Sequence, residues 1–270
     1  MTQFRSAMLG LCAICFLASP SLCWSKPGDV VAAESPFSDY KDAEWVSLEG
    51  SNGQKFLTAI LRPKGAGPFP VIVVLHGGDS LDRGFMSLAR NVTEAGFLVV
   101  VGCWFNVLGF HGPCSEATPE NDVATDPANN SGKELIAFAR TLADARADRV
   151  GIYGFSRGGV AALWAASTGA DVQAVVVDAP AHVLPGGYKV TPKPLEVVAN
   201  LSAPVLIMHG TADRVIPIEQ SYEYERAARA LGKQVTTLYV EGGGHFVSVG
   251  FGSDVARQKA IDFLKAELMR

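Results

Sequence analysis

From residue 44 onward, short runs of aliphatic side chains alternate with longer segments in which apolar residues recur every three or four positions. Short aliphatic runs predict buried strands, and the longer pattern predicts helices with one apolar face. About eight strands are predicted, at 44–49, 55–62, 71–75, 97–101, 149–153, 173–177, 204–208 and 234–240. Helices are predicted at 84–95, 133–145, 157–167, 218–231 and 253–268.

The central predicted strands are continuous runs of Val, Ile and Leu, as expected for parallel strands covered by helices on both faces. Their alternation with helices predicts an α/β fold, with a doubly wound, mostly parallel sheet that begins with an antiparallel hairpin. Segments 103–132 and 179–200 do not fit this pattern. Each follows a predicted strand, so both are expected at the carboxyl edge of the sheet, where open α/β sheets bind ligands.

The N-terminal part of the chain differs from the rest. Arg5 precedes an apolar stretch over residues 7–18, which is short for a bilayer span and is followed by small residues. This pattern predicts a secretory signal peptide over residues 1–25, with an uncleaved membrane anchor as the alternative. Residues 26–43 are polar and turn-rich and are interpreted as a linker, so the folded domain is expected at residues 44–270. We therefore expect a periplasmic or secreted protein, without stable membrane insertion after cleavage.

Composition and net charge limit the classes of molecule that this chain is expected to bind. The chain has 270 residues, of which 48% are hydrophobic, enough to cover a large sheet on both faces within one domain. The formal net charge is −4, from 23 basic and 27 acidic side chains, and no basic stripe marks a nucleic-acid surface. We expect a small-molecule substrate, and neither nucleic acid nor an obligate protein partner.

The positions of the cysteines agree with the expectation of an exported protein. Of the five cysteines, only Cys103 and Cys114 lie outside the predicted signal peptide. Two cysteines in an exported domain favour a disulfide bond, although two buried free thiols would leave the same pattern. They are not grouped with histidines or other cysteines as a metal site requires, so no metal is expected.

The most informative segment is Tyr153-Gly-Phe-Ser-Arg-Gly-Gly159, which follows a predicted strand and begins a predicted helix. It contains Gly-x-Ser-x-Gly in the strand–turn–helix setting in which this motif presents a nucleophilic serine. Gly154 and Gly158 have no Cβ and leave room for a tight turn around Ser156. A serine hydroxyl is a poor nucleophile at neutral pH, so Ser156 would need a base and a group that orients that base.

Candidates for both groups lie after predicted strands. His245, in a glycine-rich loop between the last strand and the last helix, is the candidate base. Asp213 follows a strand through the turn-forming Gly210-Thr-Ala and is the candidate acid that would accept a hydrogen bond from the imidazole. Asp178, at the end of the strand at 173–177, is the competing acid. The carboxyl edge of a parallel sheet can bring all of them to Ser156.

The order Ser156, Asp213, His245 is the triad order of α/β-hydrolases. Together with this order, four segments resemble the signature blocks of dienelactone hydrolase-like α/β-hydrolases: Phe69-Pro-Val-Ile-Val-Val-Leu-His-Gly-Gly78, Tyr153-Gly-Phe-Ser-Arg-Gly-Gly159, Leu206-Ile-Met-His-Gly-Thr-Ala-Asp213 and Gly243-Gly-His245. The resemblance covers roughly residues 44 to 268, and it implies a Ser-Asp-His triad with no metal and no organic cofactor. Dienelactone hydrolase proper has a cysteine nucleophile, whereas this chain has Ser156. The serine favours a general carboxylic-ester hydrolase over a lactone-specific one.

Acyl transfer also needs hydrogen-bond donors for the developing oxyanion. The backbone amide of Arg157, directly after the nucleophile, is one candidate. The resemblance implies that the second donor is the amide of Gly78 in the turn after the strand at 71–75. The amides of Gly77 and Asp79 in the same turn stay open as alternatives.

Two further histidines, His76 and His209, also stand at strand ends, each directly before a glycine. We expect both to brace their turns by hydrogen bonding and not to transfer protons.

Side chains near the predicted edge offer candidate substrate contacts. Arg157 and Arg83 could pair with an acidic substrate, or could form surface or internal ion pairs. Trp104 and Phe105 could line an acyl or aryl pocket, or could fill the core beneath their loop.

The expected function is hydrolysis of small or medium carboxylic esters through an acyl-enzyme intermediate. A peptidase of the prolyl-oligopeptidase type has similar catalytic blocks, but such enzymes usually carry a large N-terminal propeller, and few residues precede the predicted fold. A non-catalytic binding protein on a hydrolase fold is the third alternative, which the presence of all three triad residues disfavours.

Overall fold

In the computed structural model, helices pack on both faces of a nine-stranded sheet. The structure describes residues 30–50, 55–78, 80–104, 114, 126–181, 192–250 and 253–270. The strands are β1 (Val31–Ala32), β2 (Glu44–Glu49), β3 (Lys55–Leu61), β4 (Phe69–Leu75), β5 (Leu98–Gly102), β6 (Ala145–Phe155), β7 (Ala174–Asp178), β8 (Val205–Gly210) and β9 (Val235–Val240). The helices are α1 (Arg83–Glu94), α2 (Asp126–Thr141), α3 (Arg157–Ser167), α4 (Glu219–Ala230) and α5 (Asp254–Leu268).

The sheet order is β1-β2-β3-β5-β4-β6-β7-β8-β9. The first three strands and the β3–β5 pair are antiparallel, and every pair from β5 to β9 is parallel. The carboxyl ends of β4, β6, β7, β8 and β9 therefore meet at one edge. This arrangement confirms the predicted α/β fold with a doubly wound, mostly parallel sheet.

Strand β4 illustrates why the central strands are apolar at every position. Alternate residues of this strand belong to two separate cores, one formed with α2, α3 and α4, the other with α1 and α5. Val73 packs in the first core and Val74 in the second, and both are completely buried. A strand covered on both faces has no solvent side, so its sequence shows no polar alternation.

The eight predicted strands are present, and most ends lie within two residues of the prediction. The larger differences concern α2 and β6. The helix predicted at 133–145 is Asp126–Thr141, so α2 occupies the last part of the irregular segment 103–132. Strand β6 begins at Ala145, where it first pairs with β4 and then bulges. Its first five residues, Ala-Arg-Ala-Asp-Arg, are partly or fully exposed and include three charged side chains, which hid the start of the strand in the sequence.

The segment interpreted as a linker, residues 26–43, differs from that interpretation where the structure describes it. Strand β1 pairs with β2, and Phe37 and Tyr40 are buried. The Phe37 ring lies 5.9 Å from that of Trp45, and the Tyr40 hydroxyl donates to the Arg83 carbonyl at 3.1 Å. Two isolated aromatic residues among polar neighbours give no periodic signal, so the sequence pattern did not reveal this packing.

The predicted signal peptide at residues 1–25 lies outside the described residues. Among the helices that the structure describes, none is long and apolar enough to cross a membrane.

The buried Phe37 generates a first prediction. Phe37→Ala should lower the free energy of unfolding by about 3 kcal/mol, because it removes a ring that packs against two other aromatic side chains. Val30→Ala is the matched control, since that side chain is 45% exposed and its loss should cost less than about 0.5 kcal/mol. Denaturant unfolding of both variants measures the difference. Equal stabilities would mean that this segment is indeed a linker.

Candidate active site

Ser156 lies in a strained turn between β6 and α3. Its backbone angles are φ 49° and ψ −112°, in the left-handed half of conformational space that costs a non-glycine residue free energy. A Cβ on Gly154 would clash with the Gly158 carbonyl, so the turn requires glycine there. The Ser156 amide donates to the Asp178 carbonyl at 2.8 Å, which ties the turn to the neighbouring strand β7. The turn therefore sets Ser156 at the carboxyl edge of the sheet.

The turn after β4 lies directly against the N-terminus of α3. A Cβ on Gly158 would occupy the positions of the Leu75 and His76 carbonyl groups. Glycine at this position is therefore what allows helix α3 to approach the end of β4 by its backbone.

Gly77, one residue further along the same turn, touches both sides of the site. A Cβ added to Gly77 would lie 3.6 Å from Ser156 Cβ and 3.1 Å from Phe246 Cζ. The ring of Phe246 in turn packs on the imidazole of His245, with centroids 4.5 Å apart. The turn after β4 (residues 76–78, the β4 turn), the turn at the candidate nucleophile Ser156 (the nucleophile turn) and the loop that carries His245 (residues 241–249, the histidine loop) therefore converge at one place.

The two predicted oxyanion donors lie on backbone segments of this convergence. Arg157 is the first residue of α3 and Ser156 is its N-cap, so the Arg157 amide lies at the positive end of the helix dipole, next to Ser156. Gly78 lies in the β4 turn, and a Cβ added there would meet no atom of the described residues within 4 Å. This arrangement suits hydrogen bonding to an oxyanion held at Ser156.

The imidazole of His245 is oriented by Asp213. His245 Nδ1 lies 2.8 Å from Asp213 Oδ2. An ionised carboxylate can only accept, so Nδ1 carries a proton, and in the neutral ring the lone pair is on Nε2. This is the tautomer that a general base needs.

Backbone hydrogen bonds join the loops that carry these two side chains. The Ala212 amide donates to the Gly243 carbonyl, and the Thr211 amide to the Val240 carbonyl, each at 2.9 Å. A Cβ on Gly210 would clash with the backbone of Gly243, so the glycines allow the loops to touch. The Asp–His pair is therefore held by main-chain contacts as well as by its own hydrogen bond.

The Asp213 carboxylate accepts four hydrogen bonds. The amides of Val215 and Ile216 donate to Oδ1 at 2.7 and 3.0 Å, and His245 and His209 both approach Oδ2. Burial alone would raise the pKa of Asp213, but the hydrogen bonds from His245, Ile216 and Val215 outweigh burial and hold that pKa below its usual value. Asp213 is therefore a stable carboxylate.

His209 is a second histidine on the same carboxylate. Its Nε2 lies 2.9 Å from Asp213 Oδ2 and 3.1 Å from the Ile216 carbonyl, two acceptors, so Nε2 carries a proton. Burial lowers the pKa of His209, and in the neutral ring Nδ1 accepts from the Ser221 hydroxyl at 2.7 Å. The structure thus gives His209 bracing contacts of the kind expected from the sequence, and directs one of them at the candidate acid.

Asp178, the competing acid, has different partners. Its carboxylate accepts from the amides of Val247 and Ser248 at 3.1 and 2.9 Å, and from the Ser248 hydroxyl at 2.6 Å. Burial raises the pKa of Asp178 to about 7, against the lowering effect of these hydrogen bonds. The structure therefore pairs the imidazole of His245 with Asp213 and the backbone after His245 with Asp178.

Cys103 and Cys114 are joined by a disulfide, with their Cα atoms 4.9 Å apart. The sulfur of Cys114 lies 3.6 Å from His76 Nε2, and the Trp104 indole donates to the His76 carbonyl at 3.1 Å. His76 Nδ1 lies 2.8 Å from the Gly77 carbonyl, and burial lowers the pKa of His76 to about 4. A neutral His76 therefore links the disulfide to the β4 turn.

The predicted substrate contacts are placed differently from one another. Trp104 is completely buried, and the guanidinium of Arg157, a residue that is 5% exposed, lies 5.6 Å from the Trp104 ring centroid. Arg83 points outward and pairs with Asp39 at 3.2 Å, so the structure does not bring it to this group. Phe105 lies outside the described residues.

The sequence pattern did not reveal Ser221 and Ser248, whose hydroxyl groups hydrogen-bond to His209 and Asp178. Both are single serines that meet their partners only through the tertiary fold, so no local pattern marks them. The two amides on Asp213 had a signal, because an Asp at a turn commonly accepts from amides two and three residues on.

A mostly parallel sheet, a serine on a strained strand-to-helix turn and an Asp–His pair at the same edge define an α/β-hydrolase fold. The chain belongs to the dienelactone hydrolase family, whose model matches residues 56–257.

Known proteins resemble this chain to different extents. A probable 2-oxo-3-(5-oxofuran-2-ylidene)propanoate lactonase from Bradyrhizobium is 27% identical over 211 residues, which cover 75% of this chain and 82% of that protein. The crystal structure of a candidate dienelactone hydrolase from Klebsiella pneumoniae has a TM-score of 0.67 at 20% identity, covering 82% of this chain and 97% of that one. An acylaminoacyl peptidase from Pyrococcus horikoshii has a TM-score of 0.69 at 19% identity, but only 43% of it is covered, against 86% of this chain.

The geometry of Asp213 generates a second prediction. Asp213→Asn should lower kcat by about 10⁴-fold, because an amide in place of the carboxylate favours the wrong tautomer of His245. Asp178→Asn, the matched control at the other buried acid, should cost much less, since Asp178 does not contact the imidazole. Ester hydrolysis by both purified variants measures the ratio, and a larger loss for Asp178→Asn would reverse the acid assignment.

The disulfide generates a third prediction. Protein without residues 1–25 should show no free thiol when unfolded without reductant, and two after reduction. Closing so short a loop should stabilise the folded protein by about 3 kcal/mol on the chain-entropy estimate. Because Cys114 contacts His76, we expect reduction to change KM and kcat more clearly than the melting temperature. Thiol titration tests the bond, and kinetics with and without reductant test its effect. Unchanged kinetics in the reduced protein would mean that the disulfide does not influence activity through the β4 turn.

Proposed function

We propose that this protein is a serine hydrolase that cleaves carboxylic esters through a covalent acyl-enzyme. The observation that carries the proposal is the 2.8 Å contact of His245 Nδ1 with Asp213 Oδ2, on a loop that converges with the strained turn of Ser156. Family membership supports hydrolase chemistry on ester or lactone bonds.

The mechanism follows from the protonation states. With Nδ1 bound to Asp213, His245 Nε2 accepts the Ser156 hydroxyl proton as Oγ attacks the ester carbonyl. The imidazolium that forms is stabilised by the ionised Asp213 carboxylate. His245 then donates the proton to the departing alkoxide, and a water activated by the same nitrogen releases the acid from Ser156.

The negative charge of the tetrahedral intermediate needs donors. The amides of Arg157 and Gly78 fill this role, because they belong to two backbone segments held against each other at Ser156. The N-terminal end of α3 adds a favourable dipole. Donors fixed by the fold in this way need little reorganisation during the reaction, which is where much of the rate enhancement arises.

The identity of the nucleophile affects which class of ester we expect the protein to cleave. Dienelactone hydrolase proper uses a cysteine, and this chain has Ser156 in that position, so we propose that open-chain carboxylic esters are the main substrates. The Bradyrhizobium relative named as a lactonase keeps cyclic esters within the range to be tested. The likeness to acylaminoacyl peptidase concerns the fold, and the chain spans less than half of that protein, so peptide hydrolysis remains a less favoured alternative.

We also propose that the protein acts outside the cytoplasm. The apolar N-terminal pattern supports export. The Cys103–Cys114 disulfide fits the same compartment, because such bonds persist in oxidising surroundings.

Ser156→Ala tests the proposed function. It should reduce hydrolysis of p-nitrophenyl esters by 10³-fold or more, as an order of magnitude, with an unchanged unfolding transition. A panel of aryl esters of increasing acyl length, one lactone and one peptide amide would identify the preferred bond. Near wild-type turnover in the folded variant would exclude a serine mechanism, and cleavage of the amide alone would favour the peptidase.

A further inference from the structure

Asp178 touches both halves of the candidate catalytic machinery. It is the last residue of β7 and pairs in register with Phe155, the residue before the nucleophile. Its carbonyl accepts the Ser156 amide at 2.8 Å. Its carboxylate accepts the Val247 and Ser248 amides, two and three residues after His245. One residue therefore contacts the nucleophile through its main chain and the histidine loop through its side chain.

Burying the Asp178 carboxylate costs free energy, although its visible contacts only bind a loop. Asp178 is completely buried, and its carboxylate accepts from three neutral donors: two amides and the Ser248 hydroxyl. Burying a carboxylate on neutral donors costs several times more than burying a neutral group of the same size. Charged acceptors make shorter and stronger hydrogen bonds than neutral ones. A need to hold the histidine loop firmly would therefore explain a carboxylate at this position.

The backbone around Asp178 is also strained. The next residue, Ala179, has φ 49°, a left-handed conformation that is unfavourable for alanine, and its amide donates to the Met208 carbonyl at 2.8 Å. The chain therefore leaves β7 by a sharp, fixed turn directly after the carbonyl that holds Ser156.

We propose that Asp178 is a positioning residue, which sets the distance between Ser156 and His245 by binding the nucleophile turn with its carbonyl and the histidine loop with its carboxylate. The proposal rests on the proposed function, in which His245 must reach the Ser156 hydroxyl. It differs from a role as the triad acid, because His245 Nδ1 is already bound to Asp213.

The carboxylate can be altered without disturbing the carbonyl. Asp178→Asn keeps the size of the side chain and one acceptor oxygen, but it removes the charge and turns an amino group towards amide donors. Ser248→Ala removes only the hydroxyl donor at 2.6 Å. Because both changes weaken the same contact, the double variant should lose little more than Asp178→Asn alone.

Steady-state kinetics give the first readout. Asp178→Asn should lower kcat by about 10- to 100-fold with KM changed less than about threefold, because a displaced base affects the chemical step more than substrate binding. Val99→Ala, a cavity variant in the buried strand β5, is the control for lost stability and should keep its kcat. An unchanged kcat in Asp178→Asn, or an equal loss in Val99→Ala, would overturn the proposal.

The pH profile gives a readout that lost stability would not move. Around Asp178 lie Tyr153 on β6, Asp213 after β8 and, acting on Tyr153, Arg257 on α5. With a carboxyl group whose pKa is raised to about 7, wild-type kcat should fall on the acid side as Asp178 gains a proton and its hydrogen bonds to the Val247 and Ser248 amides weaken. Asp178→Asn should lose this part of the acid-side fall. An unchanged acid side of the profile in Asp178→Asn would contradict the proposal.

Amide hydrogen exchange separates this proposal from the proposed function, because it needs no substrate. The segment around residues 245–249 should exchange at least about tenfold faster in Asp178→Asn than in wild type, with β4 unchanged. If no ester is hydrolysed by wild type, the proposed function fails while exchange still tests the contact. Unaltered exchange of this segment would overturn the positioning role even if ester hydrolysis is found.

Discussion

Backbone atoms of β4 and of the nucleophile turn lie so close together that no side chain fits between them. At Gly158, even a Cβ would occupy the space of the Leu75 and His76 carbonyls. This contact fixes the N-terminus of α3 against the β4 turn, and with it the positions of Ser156 and of the amides on either side. The strained φ of Ser156 persists because packing on both sides leaves the chain no other path.

The surroundings of two buried acids at this edge shift their pKa values in opposite directions. Asp213 receives two imidazoles and two amides, and its pKa falls, whereas Asp178 receives two amides and a hydroxyl, and its pKa rises. The difference suits the proposed division of roles, in which one acid stabilises a developing imidazolium and the other holds a loop. The two carboxylates also repel each other, which contributes to the raised pKa of Asp178.

Much of this could be predicted from the sequence, because buried parallel strands and glycine-flanked turns leave local patterns. The predicted α3 boundaries agree with the structure residue for residue, since the strand–turn–helix motif marks them. The burial of Phe37 and the contact of Ser248 with Asp178 could not be predicted, because each joins segments that are far apart in the chain. The outward position of Arg83 depends on Asp39, which the sequence had assigned to a linker.

The strand order has a consequence for how the chain reaches its native state. Strand β4 lies between β5 and β6, and its residue Val71 pairs with Leu98 on one side and with the much more distant Val150 on the other. Pairings across such sequence separations carry a loop-closure cost and form slowly. The turn around Ser156 meets the turn after β4 only when β4 and β6 have paired. On the proposed function, the site therefore depends on a long-range pairing, and a sheet without it would leave Ser156 without the backbone amides beside it.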